Sequence, residues 1–317
     1  MIIFRGEGKV EKVSYLNQPN CYKMSNGTIE VIVTTDIGPR IIRYGFNGGD
    51  NILGEVTDAS VETELGEWKP WGGHRLWVAP EAKPRSYSPD NAPVEFSTKD
   101  DLTISLCQSV EPQTGIEKEL VVTLDADGAG VTVHHRIINR NMWAIDAAPW
   151  AISIMRGGGE TILPQEPYRS WDETVLPARP LVLWHYTDLT DPRWIISRKF
   201  IRLKTDENAS APQKIGVLNK QGWVAYRRGD LLFVKSVAYR EGAIYPDYGC
   251  NAETYTAGSF IEVETLAPIE RLEPGESAIH VERWSLFRDF DTVTTDDALD
   301  ATITPLIRPL IENLFIG

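Results

Sequence analysis

The dominant pattern along the chain has a period of two. Leu102, Ile104 and Leu106 alternate with Thr103 and Ser105, and Ile116, Leu120, Val122 and Leu124 share one parity. Val131, Val133 and Ile137 alternate with Thr132, His134 and Arg136. Successive side chains of an extended chain point to opposite sides, so this alternation predicts strands with one buried face. Such runs recur as far as Phe287, separated by turn signals such as Asn26-Gly27, Asp127-Gly128 and Pro274-Gly275. Many short strands without long helical stretches predict an all-β sandwich of mainly antiparallel strands with little helix, forming one domain over 1–317. One helix is predicted near the C-terminus. Thr295 can cap Asp296-Asp297-Ala298-Leu299, acids in a first turn suit the helix dipole, and Pro305 and Pro309 limit or kink the remainder. Two stretches rich in Pro, Gly and Trp, 68–93 and 157–193, are long for connections within a domain and are expected to be binding loops.

Charge narrows the partners. A formal net charge of −13 repels phosphate backbones and anionic lipids, so neither nucleic acid nor membrane is an expected partner, although solubility alone also accounts for it. No apolar run is long enough to cross a bilayer, and residues 1–6 lack the basic start and apolar run of a signal peptide. Cys21, Cys107 and Cys250 are few, odd in number and not spaced as a zinc site, which fits reduced thiols and a cytoplasmic location. The ten Trp offer broad apolar faces, each with one N–H donor, suited to stacking on sugars or to filling a large core.

Candidate chemistry gathers in a few places. On a strand through 260–266, Phe260, Glu262, Glu264 and Leu266 share one face, and Ile261, Val263 and Thr265 share the other. The Ile/Val face reads as core. The two carboxylates, about 6.8 Å apart along the strand, either face solvent or crowd into a cleft, where mutual repulsion raises a pKa and suits a base. In Trp71-Gly72-Gly73-His74-Arg75-Leu76-Trp77 the glycines allow close approach of a ligand or of another chain segment. His74 is a candidate acid or hydroxyl ligand, Arg75 a grip for hydroxyls or a carboxylate, and Trp77 a stacking face; a structural turn with packed Trp is the plainer alternative. His185, between Trp184 and Tyr186, is a second candidate acid. Asp247 and Glu253 are candidate hydroxyl ligands, though a turn rich in Pro, Asp and Gly needs no ligand. His135 shares parity with core valines and reads as a core histidine, His134 points outward, and His280 with Glu282 reads as structural. His-x-His and His-Glu-x-x-His spacings are absent, so no metal is expected.

Three stretches carry a family resemblance. They are Thr28-Ile29-Glu30-Val31-Ile32-Val33-Thr34-Thr35-Asp36-Ile37-Gly38-Pro39-Arg40-Ile41 followed by Asn51-Ile52-Leu53, the 71–81 segment, and Phe260-Ile261-Glu262-Val263-Glu264-Thr265-Leu266 with Leu272-Glu273-Pro274-Gly275-Glu276 and the Glu282-Arg283-Trp284 strand after it. In this order, over nearly the whole chain, they resemble a bacterial branch of the galactose mutarotase-like (aldose 1-epimerase) superfamily. The resemblance implies a supersandwich that binds a small-molecule sugar or oligosaccharide and interconverts its anomers by acid–base catalysis, without metal or organic cofactor. It implies Glu264 as base, with His74 or His185 as acid, and Arg75, Trp77, Asp247, Glu253 and Glu262 around the sugar. One departure stands out: where the family carries a histidine on a central strand, this chain reads Ala148-Pro149-Trp150-Ala151-Ile152-Ser153. A non-catalytic carbohydrate-binding or sensing protein is therefore the main alternative. A glycan-cleaving lyase or glycosidase is a further one, weakened by the absence of a predicted helical domain.

Overall fold

The computed structural model describes residues 9–290 and 295–314. Residues 1–6, which lack signal-peptide character in sequence, lie outside the described residues. Two large sheets account for most of the described chain. One has eleven strands and runs in the order Lys9–Tyr15, Gln18–Ser25, Ile29–Thr34, Arg40–Phe46, His74–Ala79, Ile145–Arg156, Phe260–Leu266, Ala252–Ala257, Gln213–Val217 and Leu181–Leu183, with Glu270–Leu272 paired to one end of Ile145–Arg156. The other has ten strands, with Gly130–Asn139, Ser277–Phe287 and Leu231–Ser236 at its centre. The pairings within both sheets are antiparallel.

The alternation read from sequence is the burial pattern observed. Along Ile116–Leu124 every second residue is buried, and its partner Gly130–Asn139 buries Val131, Val133, His135 and Ile137. The apolar members of this set, with Tyr44, Leu120, Val122, Phe233 and Trp284, fill the space between the sheets. The Trp284 ring meets Tyr44 and Phe233 at centroid distances of 5.6 and 5.5 Å.

The predicted helix is present but longer than expected. It runs from Asp296 to Leu314 through both prolines. Leu299, Ile303 and Ile307, at four-residue spacing, are buried against Ile162, Phe200, Trp223 and Val234. Burying three aliphatic side chains at about 1.5–3 kcal/mol each offsets two interior prolines at about 3 kcal/mol each.

The Gly72-Gly73 pair serves close approach of chain, not of ligand. Both have positive φ (84° and 69°), and a Cβ would stand 2.1 Å from the Gly54 carbonyl oxygen at the first and 2.2 Å from that of Ile41 at the second. Gly73→Ala is therefore expected to destabilise the fold by at least about 1–3 kcal/mol, read as a lower midpoint in urea unfolding; an unchanged midpoint would refute this account.

Candidate functional site

The strand Phe260–Leu266 lies in the middle of the eleven-stranded sheet, and its register sets the site. Arg75, Ile152, Glu264 and Glu253 stand opposite one another across four neighbouring strands. One step along, Ile154, Glu262, Tyr255 and Lys214 do the same. Two residues the other way stand Trp77, Trp150 and Leu266. Paired residues and those two apart share a face, so Arg75, Trp77, Trp150, Lys214, Glu253, Glu262 and Glu264 all project from the outer face, away from the ten-stranded sheet.

Lys214 is the hub of this face. Its ammonium lies 2.8 Å from Glu253 Oε2 and 3.1 Å from Glu264 Oε2, and 4.6 and 4.7 Å from the ring centres of Trp150 and Trp184. Burial alone would lower its pKa, but Glu253 and Glu264 outweigh that and hold it well above the ordinary lysine value. The Trp150 indole N–H donates to Glu264 Oε2 at 2.8 Å. Glu264 is wholly buried, and its Oε1 has no hydrogen-bond partner among the described residues. Beside it, Arg75 is stacked between Trp68 and Trp77, at 5.0 and 4.7 Å, and reaches Glu262 Oε1 at 3.3 Å. Burial, seconded by the charge of Glu264 and opposed by Arg75, pushes Glu262 up to about 7. Asp247 and Tyr248 both adopt positive φ (50° and 60°), a strained turn that leaves Tyr248 97% exposed and brings the half-buried Asp247 within the field of Lys214. Burial raises the Asp247 pKa.

Arg75, Trp77, Glu253, Glu262 and Glu264 thus lie together on one face, with Asp247 in electrostatic reach of them. His74 is not among them. It is adjacent to Arg75 on one strand, so its side chain leaves the opposite side of the sheet, and the expectation that His74 and Glu264 share a cleft is overturned by that alternation. His185 is exposed in the turn after Leu181–Leu183, flanked by Trp184, which covers Lys214, and Tyr186. Lys214, Trp150 and Trp184 escape a reading of the sequence. The available signal is a lysine on the same parity as Gly216 in a strand whose other residues are apolar or amide.

On the inner face His74 joins a second cluster. His135 Nδ1–H donates to the His280 carbonyl at 3.0 Å, leaving Nε2 to accept from His74 Nε2–H at 2.6 Å, while the Ser153 hydroxyl donates to His74 Nδ1 at 2.8 Å. Glu282, wholly buried, takes Lys235 at 2.8 Å, the Thr265 hydroxyl at 2.5 Å and the Trp284 N–H at 2.7 Å. Burial holds the histidines neutral, with His135 pushed down to about 4, His280 to about 3 and His74 well below its ordinary value, all against the pull of Glu282. Lys235, joined by the histidines, keeps Glu282 well below the usual carboxylate range against the opposing effect of burial. His74, His135 and Glu282 have ligand atoms within 4.8 Å of one another, the geometry of a candidate metal centre. The donor set fits an ion poorly, because Lys235 already balances the carboxylate and a proton already bridges the two ring nitrogens.

An antiparallel double sheet with a charged, aromatic-lined outer face describes a β-sandwich of the galactose mutarotase-like fold. Comparison with solved structures bears this out. The chain is similar to a galactose mutarotase-like protein from Lactobacillus casei, with a TM-score of 0.57 and 10% identity over 84% of this chain and 100% of that one. It is similar also to a galactose mutarotase-like protein from Clostridium acetobutylicum, with a TM-score of 0.55 and 11% identity over 89% of this chain and 99% of that one. No protein-family profile matches the sequence, and no curated protein matches it.

Proposed function

We propose that the outer face binds a sugar and interconverts its anomers, with Glu264 as general base and Glu262 as general acid. The observation that carries this reading is the pairing of two carboxyl groups on one face in unlike surroundings. Glu264 lies between a lysine ammonium and an indole N–H, with one oxygen unpartnered, whereas Glu262 is raised to about 7. Glu264 takes the proton of the anomeric hydroxyl as the C1–ring oxygen bond breaks, and the Glu262 carboxyl gives its proton to the ring oxygen. Rotation about C1–C2 and the reverse transfers close the ring at the other anomer. Glu262 here replaces the histidines considered from sequence.

The pH dependence has a definite sign. An acid must be protonated to act, so turnover should fall as pH rises through about 7, the value to which Glu262 is raised. The test is anomer exchange of free aldoses followed by NMR from pH 5.5 to 8.5. Exchange at the uncatalysed rate despite bound sugar defeats the catalytic reading and leaves a carbohydrate-binding protein. That second reading has its own support, because Lys214 and Trp150 already engage one Glu264 oxygen and His74 lies on the other face. Among the described residues no helix is long and apolar enough to cross a membrane.

A further inference from the structure

The charges on the outer face do not balance. The groups that act on one another there are five carboxyl groups, Glu81, Asp247, Glu253, Glu262 and Glu264, and two cations, Arg75 and Lys214. Burial raises Asp247, Glu253 and Glu262. Asp247 and Glu253 share one proton in a hydrogen bond, and Glu262 keeps its own below about 7, which leaves three carboxylates to two cations. Both cations are already committed, Arg75 to Glu262 and Lys214 to Glu253 and Glu264. One lone acceptor stands out. Glu264 is wholly buried and its Oε1 has no hydrogen-bond partner among the described residues, whereas Glu253, equally buried, and Asp247 share a hydrogen bond. A carboxylate oxygen can only accept, and leaving one unmet in a buried setting is costly. Arg75 Nε, buried and also unpartnered among the described residues, wants an acceptor such as a sugar hydroxyl, whereas Glu264 Oε1 wants a donor, and a positively charged donor also meets the surplus of carboxylate.

Aromatic groups support the same chemistry. Trp150 and Trp184 flank one ammonium already, and Tyr186, 42% exposed, stands edge-on to Tyr255 at 6.5 Å within the field of Lys214, Glu264 and Glu81. Ring faces attract a cation through their quadrupole, and a carboxylate behind them adds to the attraction. At the rim, Tyr87 donates to Glu81 at 2.5 Å, and Lys83 lies 5.8 Å from the Tyr87 ring.

We propose that the ligand of this face carries an ammonium group, so that the preferred substrate class is an amino sugar in its cationic form rather than a neutral or phosphorylated sugar. This rests on the sugar-binding reading above. A phosphate would meet surplus negative charge, with Arg75 and Lys214 already committed and Lys83 set over Tyr87 at the rim, whereas an ammonium supplies a donor to Glu264 Oε1.

Titration calorimetry at pH 6 with D-glucosamine, D-galactosamine, their N-acetyl derivatives, D-glucose, D-galactose and D-glucose 6-phosphate tests it. The amino sugars are expected to bind at least ten-fold more tightly than their parents and N-acetyl derivatives, and the phosphate more weakly than glucose. The preference should shrink as salt rises, because exposed charges are screened. Glu81→Gln, at the exposed rim, should lower the amino-to-neutral affinity ratio several-fold. Equal affinity for amino and N-acetyl sugars, or tighter binding of the phosphate, overturns the ammonium inference while sugar binding stands. Absence of binding by every sugar overturns both.

Discussion

Glu264→Gln is expected to slow anomer exchange by about 10²–10⁴-fold, the usual contribution of a general base, while sugar affinity changes only a few-fold. Glutamine keeps the shape of the side chain, and its carbonyl oxygen can still accept from Trp150 and Lys214, which hold Glu264 at 2.8 and 3.1 Å. It cannot take the proton of the anomeric hydroxyl. Lys214 retains Glu253 at 2.8 Å, so the variant leaves no lone buried cation, and loss of folding is not the expected cause of the lost rate. Saturation-transfer NMR on the bound sugar reads exchange, and calorimetry reads affinity. Full exchange in the variant would show that another group is the base.

The second large effect is expected from the inner cluster and appears in stability. Glu282→Gln should cost about 3–5 kcal/mol, because removing one partner of a buried ion pair leaves the other charge uncompensated. The stranded group is Lys235, wholly buried, whose ammonium otherwise lies 2.8 Å from Glu282 and 3.0 Å from the Val263 carbonyl. Adding Lys235→Met removes the stranded charge, so the double variant should be more stable than Glu282→Gln alone. Urea unfolding of the set reads this directly. A double variant no more stable than the single one would mean that shape, not charge, governs the loss.

The legibility of the fold and site in the sequence depends on which strands alternate. The Ile116–Leu124 strand has one covered face, and its alternation is plain. The two-sided reading of Phe260–Leu266 also holds: Glu262 and Glu264 leave the outer face of the sheet, while Val263 and Thr265 leave the inner one. His74–Ala79 has all six residues buried, because its outer face is covered as well as its inner one. Such a strand shows no alternation, so 71–81 reads as a loop in sequence, and nothing there warns that the adjacent His74 and Arg75 point opposite ways. Lys214 and Glu264 are fifty residues apart and meet only through two intervening strand pairings. No local pattern encodes that meeting. Glu282 and His280 read as structural, which fits their contacts. Lys235 draws no notice beside them, although it shares parity with Phe233 in an apolar strand.

Thr265 and Glu264 are consecutive, yet one bonds Glu282 between the sheets and the other holds Lys214 outside. Sliding Phe260–Leu266 by one position would exchange its two faces, carrying Glu264 into the interior and Thr265 outward. Lys235 opposes this slip, since it holds Val263 by its carbonyl, and Thr265 opposes it through Glu282. The inner polar network thus works as an alignment pin: its bonds form in one register only, and in that register both carboxylates face outward. Variation aimed at the ligand preference of the outer face would then do best to change the outward parity of these strands and keep the inward parity fixed.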